Sequence, residues 1–269
     1  MNRTSLIENL TKIVGERWVI QDENLMKDYI LDETPDVVRP KPSGNLILVK
    51  PACTDEVSKI IKIANKFRIA IYPVGGRTGL VGGAIPTKPG IIISMERFKH
   101  IEIDKENLMA VVGAGVTLGE VIKAADEADL SFPLHPGDEG AYVGGLVATN
   151  AGGARAVKYG IMRNYVKGME VVLPTGEVLR LGGKLLKNNT GYSLMHLIIG
   201  SEGTLGVITE VTLKLYPKTR YAITLIAPFN TRREALSAVP RILQSGITPL
   251  AIEYVAVSYT HLTLPPTER

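Results

Sequence analysis

The chain has a single cysteine, Cys53, among its 269 residues, which excludes an internal disulfide and any cysteine-cluster metal site. The four histidines, His100, His135, His196 and His261, show no metal spacing such as HExxH. Nor does a Ser-His-Asp order or a nucleophile elbow appear. Long apolar runs are also missing. The longest, such as "HLIIG", fall far short of the roughly 20 residues of a spanning helix, so no transmembrane segment is expected. The first twenty residues interleave polar and charged positions, unlike the continuous apolar core of a secretory signal, and a cytoplasmic chain is the expectation. No lysine or arginine run reads as a nucleic-acid arm, and a net charge of +4 is mild enough only to be compatible with anionic ligands. With 45% hydrophobic and 22% charged residues the composition is that of a globular protein holding one large domain or two smaller ones.

What the chain has in plenty is glycine, concentrated between residues 75 and 206. Ahead of that region, residues 4–32 read as helical and end in "DETPDVVRPKPSG", where prolines and a glycine break periodic structure; residues 1–40 are thus a lead-in. "NLILVK" reads as a strand. "TDEVSKIIKIANKF" follows as a helix, with Val57, Ile60, Ile61 and Ala64 on one face, Thr54 as N-cap and Asp55 and Glu56 in the first turn. "IAIYPV" is a second strand, so a βαβ-like start delivers the chain into a glycine loop at a strand's carboxyl end, where ligands commonly bind. From about residue 91 the texture changes to short strands with hairpins at Asn107 and "PTGE", which makes the fold class α+β. After Pro217 a further strand, "YAITLIAPF", and a helix, "TRREALSAVPRILQSG", are expected. The last thirteen residues, "VSYTHLTLPPTER", continue none of this and resemble translated adapter sequence. Residues 257–269 are therefore read as a non-native tail on a fragment whose natural sequence runs past about Ala256, against the simpler reading of a polar natural tail.

Three glycine clusters point to a long ligand with several polar stations. In "YPVGGRTGLVGGAIP" the residue four after Gly75 is Gly79, followed by Leu80, so the lysine of a Walker loop is missing and an NTPase is disfavoured. Five glycines nevertheless leave backbone N–H groups free to line a nest for a diphosphate. "VVGAGVTLGEVIKAADEA" imitates a dinucleotide fingerprint at Gly113 and Gly115, but the third glycine position is Leu118, and Thr117 with Glu120 has capping-box spacing that accounts for the turn. "FPLHPGDEGAYVGGLVATNAGGARAVKYG" holds seven glycines between Pro136 and Gly160 and a Thr149–Asn150 pair, a composition suited to main chain pressed against a flat ligand. "IGSEGTLGVITEV" adds Ser201, Gly203, Thr204 and Gly206 ahead of a β-branched strand. His135 reads as a packed residue rather than a base, while Arg77 and Arg155 are either partners of a phosphate or carboxylate or ordinary solvated arginines.

These segments together resemble the FAD-binding domain of the vanillyl-alcohol-oxidase (PCMH-type) superfamily, in the branch of D-2-hydroxyacid dehydrogenases and glycolate oxidase flavoprotein subunits. "PVGGRTGLVGG", "PGDEGAYVGGLVATNAGGARAVKYG" and "NNTGYSLMHLIIGSEGTLGVITEVTLKLYPKT" carry the resemblance, over roughly residues 20–255. It implies a two-subdomain PCMH-type FAD-binding fold over 41–218, with subdomains of about 41–103 and 104–218, and the beginning of an α+β cap domain over 219–256. It implies that Pro73 leads into a pyrophosphate cradle of Gly75, Gly76, Arg77, Thr78, Gly79 and Leu80. A second segment would lie along the cofactor through Pro136, Gly137, Gly140, Val143 and Gly144, continuing through Gly145, Thr149, Asn150 and Gly153. Glu202, Gly206, Val207 and Ile208 would approach the adenine and ribose end. Arg77 stands where some relatives carry a flavin-linking histidine, so the FAD is expected to be non-covalent.

The implied chemistry is oxidation of a D-2-hydroxy acid such as D-lactate, glycolate or D-2-hydroxyglutarate by hydride transfer to flavin, with quinone, an electron-transfer flavoprotein or an iron–sulfur subunit as acceptor. In that branch the catalytic histidine, the substrate contacts and any divalent metal site come from the cap and the region beyond it, so the catalytic residues are expected outside this chain, which on its own would be weakly active or inactive. Two other readings remain beside this one: a non-catalytic flavin-binding module, and an NADPH-using cell-wall reductase on the same fold. The second is disfavoured by the hydroxyacid-branch character of "NAGGARAVKYG" and "GSEGTLGVITEV".

Overall fold

The structure, a computed structural model, describes residues 2–256; the expected foreign tail lies outside the described residues. Helix α1 (Arg3–Val14) starts under the side chain of Asn2, which accepts a hydrogen bond from the Ser5 N–H, and buries Leu6, Leu10 and Val14 along one edge. It stops at Gly15, whose φ of +88° turns the chain while its N–H bonds back to the Thr11 carbonyl at 2.8 Å. The expectation of helix throughout 4–32 therefore fails beyond Val14. A 3₁₀ turn at Glu16–Trp18 leads into a short strand β1 (Val19–Ile20), then α2 (Glu23–Met26) behind the side chain of Asp22, then a second 3₁₀ turn at Lys27–Tyr29.

Strand β2 (Leu46–Val49), helix α3 (Thr54–Phe67), strand β3 (Ala70–Val74) and strand β4 (Gly90–Ser94) give the βαβ-like unit that the apolar spacing foretells. β4 lies between β2 and β3, parallel to both, and β1 closes one edge antiparallel, in the order β1-β2-β4-β3. All four residues of β2 and all five of β4 are buried, as central parallel strands should be. α3 buries the expected Val57, Ile60, Ile61 and Ala64. Its first turn differs from expectation at one residue: Cys53 holds the N-cap position, and the Thr54 hydroxyl is directed away to Glu170 on the other sheet.

The second sheet is antiparallel throughout. β5 (Ile101–Asp104) and β6 (Met109–Gly113) form the hairpin around Asn107, whose N–H bonds the Asp104 carboxylate at 3.0 Å. Because β5 already belongs to this sheet, the chain passes from one sheet to the other between Ser94 and Ile101, ahead of the residue-103 division read from the sequence. Helix α4 (Leu118–Glu127) opens with the reciprocal Thr117–Glu120 box, and β7 (Leu130–Ser131) follows it. Three short helices come next, α5 (Val143–Ala148), α6 (Ala156–Tyr159) and α7 (Met162–Tyr165). β8 (Val166–Val172) and β9 (Val178–Gly182) make the "PTGE" hairpin, and after α8 (Leu194–Ile198) the long β10 (Val207–Lys214) inserts between β6 and β8. β11 (Tyr216–Pro217) pairs apart with β7.

Residues 221–229 form no strand. Tyr221, Ile223, Leu225 and Ile226 are exposed, and β-propensity without a neighbouring edge to complete the hydrogen-bond ladder does not make a strand. Helix α9 (Arg232–Gln244) does form, behind a Thr231–Glu234 capping box, with Pro240 inside it and no buried residue.

A smaller hydrophobic cluster of Met26, Leu46, Leu48, Val74 and Ile92 packs on the first sheet, and the larger one runs under both sheets, from Leu10 and Ile60 to Tyr165 and Val211. A polar clamp spans them as well. The Glu170 carboxylate on β8, 8% exposed, accepts hydrogen bonds from Thr54 of α3, from Thr209 at 2.9 Å and from Arg180 at 2.8 Å, while Ser58 of α3 donates to the Gly176 carbonyl at 2.5 Å. Burial pushes the Glu170 carboxyl up, but the bonds from Thr54, Thr209 and Arg180 outweigh it and hold its pKa below the usual range. A lowered folded pKa contributes stability that is full above the unfolded carboxyl value, about 4.3, and is lost as pH falls through the folded value. Glu170→Ala, which strands the Thr54 hydroxyl and leaves Thr209 only its long 3.4 Å bond to the residue-170 carbonyl, is expected to cost about 2–3 kcal/mol. Glu170→Gln is expected to cost less, with a deficit that shrinks on acidification; thermal melts at neutral pH and near the acid limit of the fold check this, and a pH-independent deficit refutes it.

Candidate functional site

The carboxyl end of β3, the end of β6, α5 and the start of β10 converge on one cleft of about 440 Å³, within the range of small-molecule and cofactor sites. Its first wall is the glycine loop after β3. From Gly76 to Leu80 the backbone closes no hydrogen bond among the described residues, so these N–H groups are available to a ligand. The loop is pinned from behind: a Cβ on Gly76 would stand 2.6 Å from the Gly140 carbonyl oxygen and 3.1 Å from the Tyr142 nitrogen. Only glycine permits that approach.

Helix α5 makes the floor. Val143 and Gly144 donate to the Val116 and Ala114 carbonyls at 2.8 and 2.9 Å, which fixes the helix against the end of β6. The next residue, Gly145, lines the cleft, and a Cβ there would meet nothing within 4 Å. No steric or left-handed requirement asks for glycine at this position, where alanine would suit the helix better by about 0.5–1 kcal/mol. The far wall is the turn before β10, hung on the end of α5 by Gly200 and Glu202 donating to the Val147 and Ala148 carbonyls at 3.0 and 2.8 Å. Arg163 ties the same turn to α7 through the His196 and Ile199 carbonyls.

Three non-glycine residues around the cleft hold left-handed backbone: Arg77 (φ +63°), Asn150 (φ +51°) and Glu202 (φ +53°). Such positions concentrate at functional sites. The Arg77 guanidinium lies 4.8 Å from the ring centroid of Tyr29, in the lead-in. The Tyr29 hydroxyl donates to Glu96 at 2.7 Å and accepts from Lys50 at 2.7 Å, and Lys50 pairs with Glu96 at 2.8 Å. Burial pushes the Glu96 carboxyl up, yet the bonds from Lys50 and Tyr29 hold it below the usual carboxylate range. Burial likewise pulls Lys50 down, and Glu96 with Tyr29 more than restores it. The arginine is thus carried on a ring whose other end is anchored by an ion pair.

Of the residues singled out in the sequence, Pro73, Gly75, Gly76, Arg77, Thr78 and Gly79 line the cleft from the first segment. Pro136, Gly144, Gly145 and Thr149 do so from the second, and Glu202, Gly206, Val207 and Ile208 from the third. Six stand elsewhere. Leu80 points to solvent, Val143 is wholly in the core, Gly140 backs the first loop, and Gly137 sits in open space at φ +107°. Asn150 accepts from the Arg163 N–H at 3.0 Å, and Gly153 packs under the His135 carbonyl. Neither His135 nor Arg155 lines the cleft, and Gly113 and Gly115 face the carbonyls of Phe98 and Met95. Sequence reasoning missed Asp32, Met95, Ala114, Asp138, Ala141 and Tyr142, which also line the cleft. The signal at Ala114 and Ala141 was smallness beside glycine; for Asp32, in a stretch read only as a helix breaker, there was none.

The sequence pattern of a family described as "FAD binding domain" matches residues 46–182, which include β2 through β9 and therefore strands of both sheets. The chain belongs to the FAD binding domain family. It is 47% identical to a protein described as D-lactate dehydrogenase from Archaeoglobus fulgidus, over 93% of this chain and 55% of that relative. It is 40% identical to the glycolate oxidase subunit GlcD of Bacillus subtilis, over 84% of this chain and 48% of the relative. Among solved structures, an alkyldihydroxyacetonephosphate synthase superposes with a TM-score of 0.77 at 23% identity, over 93% of this chain and 47% of that one, which speaks for the fold alone. The chain spans about half the length of the curated relatives it matches.

FAD fits the cleft that this FAD binding domain builds. Among the described residues the loop offers unpaired N–H groups, Gly145 leaves a space that is not filled, and the lining carries one cation, Arg77, and three carboxylates, Asp32, Asp138 and Glu202. That balance disfavours a highly anionic ligand and suits a diphosphate held by backbone and flanked by hydroxyl-bearing groups. Gly145→Ala is expected to leave the melting temperature of the apoprotein unchanged or slightly raised while weakening FAD binding about tenfold or more. Gly76→Ala is expected to lower both. Thermal melts without cofactor and FAD titrations by flavin fluorescence check this; wild-type affinity in Gly145→Ala would put the cofactor elsewhere.

Proposed function

We propose that this chain is the FAD-holding half of an oxidoreductase that oxidises a D-2-hydroxy acid, with FAD bound non-covalently in the cleft between the two sheets. The observation that carries the reading is the convergence of three separate glycine segments on one cleft in a chain this similar to relatives described as D-lactate dehydrogenase and glycolate oxidase subunit. The Gly76–Leu80 backbone and Arg77 hold the diphosphate. Gly144 and Gly145 give a flat surface along the cofactor, and Glu202 with Gly206–Ile208 bounds its adenosine end. When bound, FAD supplies a two-electron acceptor for hydride from the carbinol carbon of the substrate. The chain's own residues bind and orient. Tyr29 holds Arg77 in place, and the apolar walls of Met95, Ala114 and Leu146 exclude water from the interior of the cleft.

Arg77 in the first loop offers no linking nucleophile, which supports non-covalent attachment. The base that takes the hydroxyl proton and the groups that hold the substrate carboxylate belong, in this proposal, to the further half of the length seen in the relatives. D-Lactate, glycolate and D-2-hydroxyglutarate are the candidate substrates, with quinone, an electron-transfer flavoprotein or an iron–sulfur subunit receiving the electrons and any divalent metal held in that further half.

Purified protein, reconstituted with FAD, is expected to show the two visible bands of oxidised flavin and to release intact FAD on acid precipitation. A folded protein that stays colourless with added FAD refutes the reading. With an artificial electron acceptor, turnover of the three hydroxy acids by the 269-residue chain is expected to be weak or absent. Robust turnover would show instead that the catalytic groups lie within this chain.

A further inference from the structure

The lead-in precedes the family match at residue 46, yet it reaches the cleft through Asp32 and packs behind the first glycine loop on either side of it. Tyr29 lies under Arg77, Asp32 under Gly79, and Thr34 with Pro40 against Gly82. Asp32 is 8% exposed and lines the cleft. One carboxyl oxygen, Oδ1, accepts the Thr34 N–H at 3.0 Å and closes a local turn. The other, Oδ2, is buried without a hydrogen-bond partner. The hydroxyl of Thr34, which is 1% exposed, is a second orphan two residues on. Buried polar atoms left unpaired each cost about 1–3 kcal/mol and are uncommon, so two on one short wall call for a missing partner.

The described residues offer none. Arg77, the one lining cation among the described residues, lies over the Tyr29 ring and forms no hydrogen bond to Asp32, and the loop residue facing Oδ2 is Gly79, which has no side chain to offer. A Cβ on Gly79 would sit 3.5 Å from Oδ2, an ordinary contact, so the glycine is the neighbour that leaves room beside the buried oxygen. A carboxyl oxygen set beside a diphosphate cradle repels phosphate and welcomes a hydroxyl. We propose that Asp32 is a positioning residue for the cofactor, accepting at Oδ2 a hydrogen bond from a sugar or polyol hydroxyl of the bound dinucleotide, with the Thr34 hydroxyl beside it. This rests on the FAD reading above. The hydroxyl belongs either to the ribose of the adenosine or to the ribityl chain, which present the same chemistry.

Asp32→Asn separates this role from a structural one, because the amide keeps the oxygen that closes the turn with Thr34 but puts a donor where Oδ2 accepts. The apoprotein is expected to melt as the wild type does, and the Kd for FAD to rise about tenfold or more. Gly79→Ala, which puts a methyl in contact with the same oxygen without altering Asp32, is expected to weaken binding as well, and the double variant is expected to lose no more than the worse single one, since both act on one hydrogen bond. It also tests the proposal should Asp32→Asn fail to fold. Titration with ADP and with riboflavin divides the ligand: a loss of ADP affinity in Asp32→Asn assigns the hydroxyl to the ribose, and a loss of riboflavin affinity assigns it to the ribityl chain. Wild-type FAD affinity in a folded Asp32→Asn protein overturns the proposal. Failure of the wild-type protein to take up FAD overturns the cofactor reading itself, and is seen before any variant is made.

Discussion

The contact of Gly76 with the backbone of residues 140–142 is the constraint on which the rest of the site depends. It joins a loop at the end of a parallel sheet to a segment hung on the end of an antiparallel one, main chain against main chain, with no side chain between. A cleft can then open in front of the contact without the two sheets drifting apart. The core behind it is continuous, and the Glu170 clamp with Ser58 holds α3 to β8 on the opposite side of the junction. The cleft is therefore a seam between two sheets fastened by these contacts, and the packing behind it sets its width.

Charge plays a smaller part than the net +4 of the chain suggests. Most cations lie away from the cleft, and the one that lines it is held by an aromatic ring rather than by a carboxylate. An arginine stacked on Tyr29 keeps its N–H fork free for an anion, whereas pairing with Glu202 or Asp138 would have consumed it. The Lys50–Glu96 pair acts one step further back. By holding the Tyr29 hydroxyl it holds the far end of the ring, so the sequence positions that support Arg77 come from the lead-in, from the residue after β2 and from the segment after β4.

Much of the fold was legible because its elements are locally determined. The face Val57, Ile60, Ile61, Ala64, the Thr117–Glu120 box and the two hairpins each follow from spacing within a few residues. Where the sequence misled, a distant partner decided. Thr54 has the composition of a cap, but Glu170, more than a hundred positions on, claims its hydroxyl. "YAITLIAPF" has the composition of a strand, yet no sheet edge among the described residues receives it. The lead-in was invisible as part of the site for the same reason. Nothing local to "DETP" says that Asp32 will lie under Gly79.

The glycines carry the sharpest distinction. From sequence alone, Gly76, Gly115 and Gly145 look alike, each inside a small-residue cluster beside a strand or helix. In the fold, Gly115 makes way for the Met95 carbonyl and Gly76 for the Gly140 carbonyl, so both are explained by the protein's own backbone. Gly145 makes way for nothing among the described residues. A glycine of the first kind reports on folding and would be required in a chain that bound no ligand at all. Only one of the second kind bears on a ligand, because helix propensity opposes it and no neighbouring atom asks for it. Counting glycines located the cleft; asking what each glycine's missing Cβ would meet separates the residues that build it from those, Gly145 above all, that leave it open.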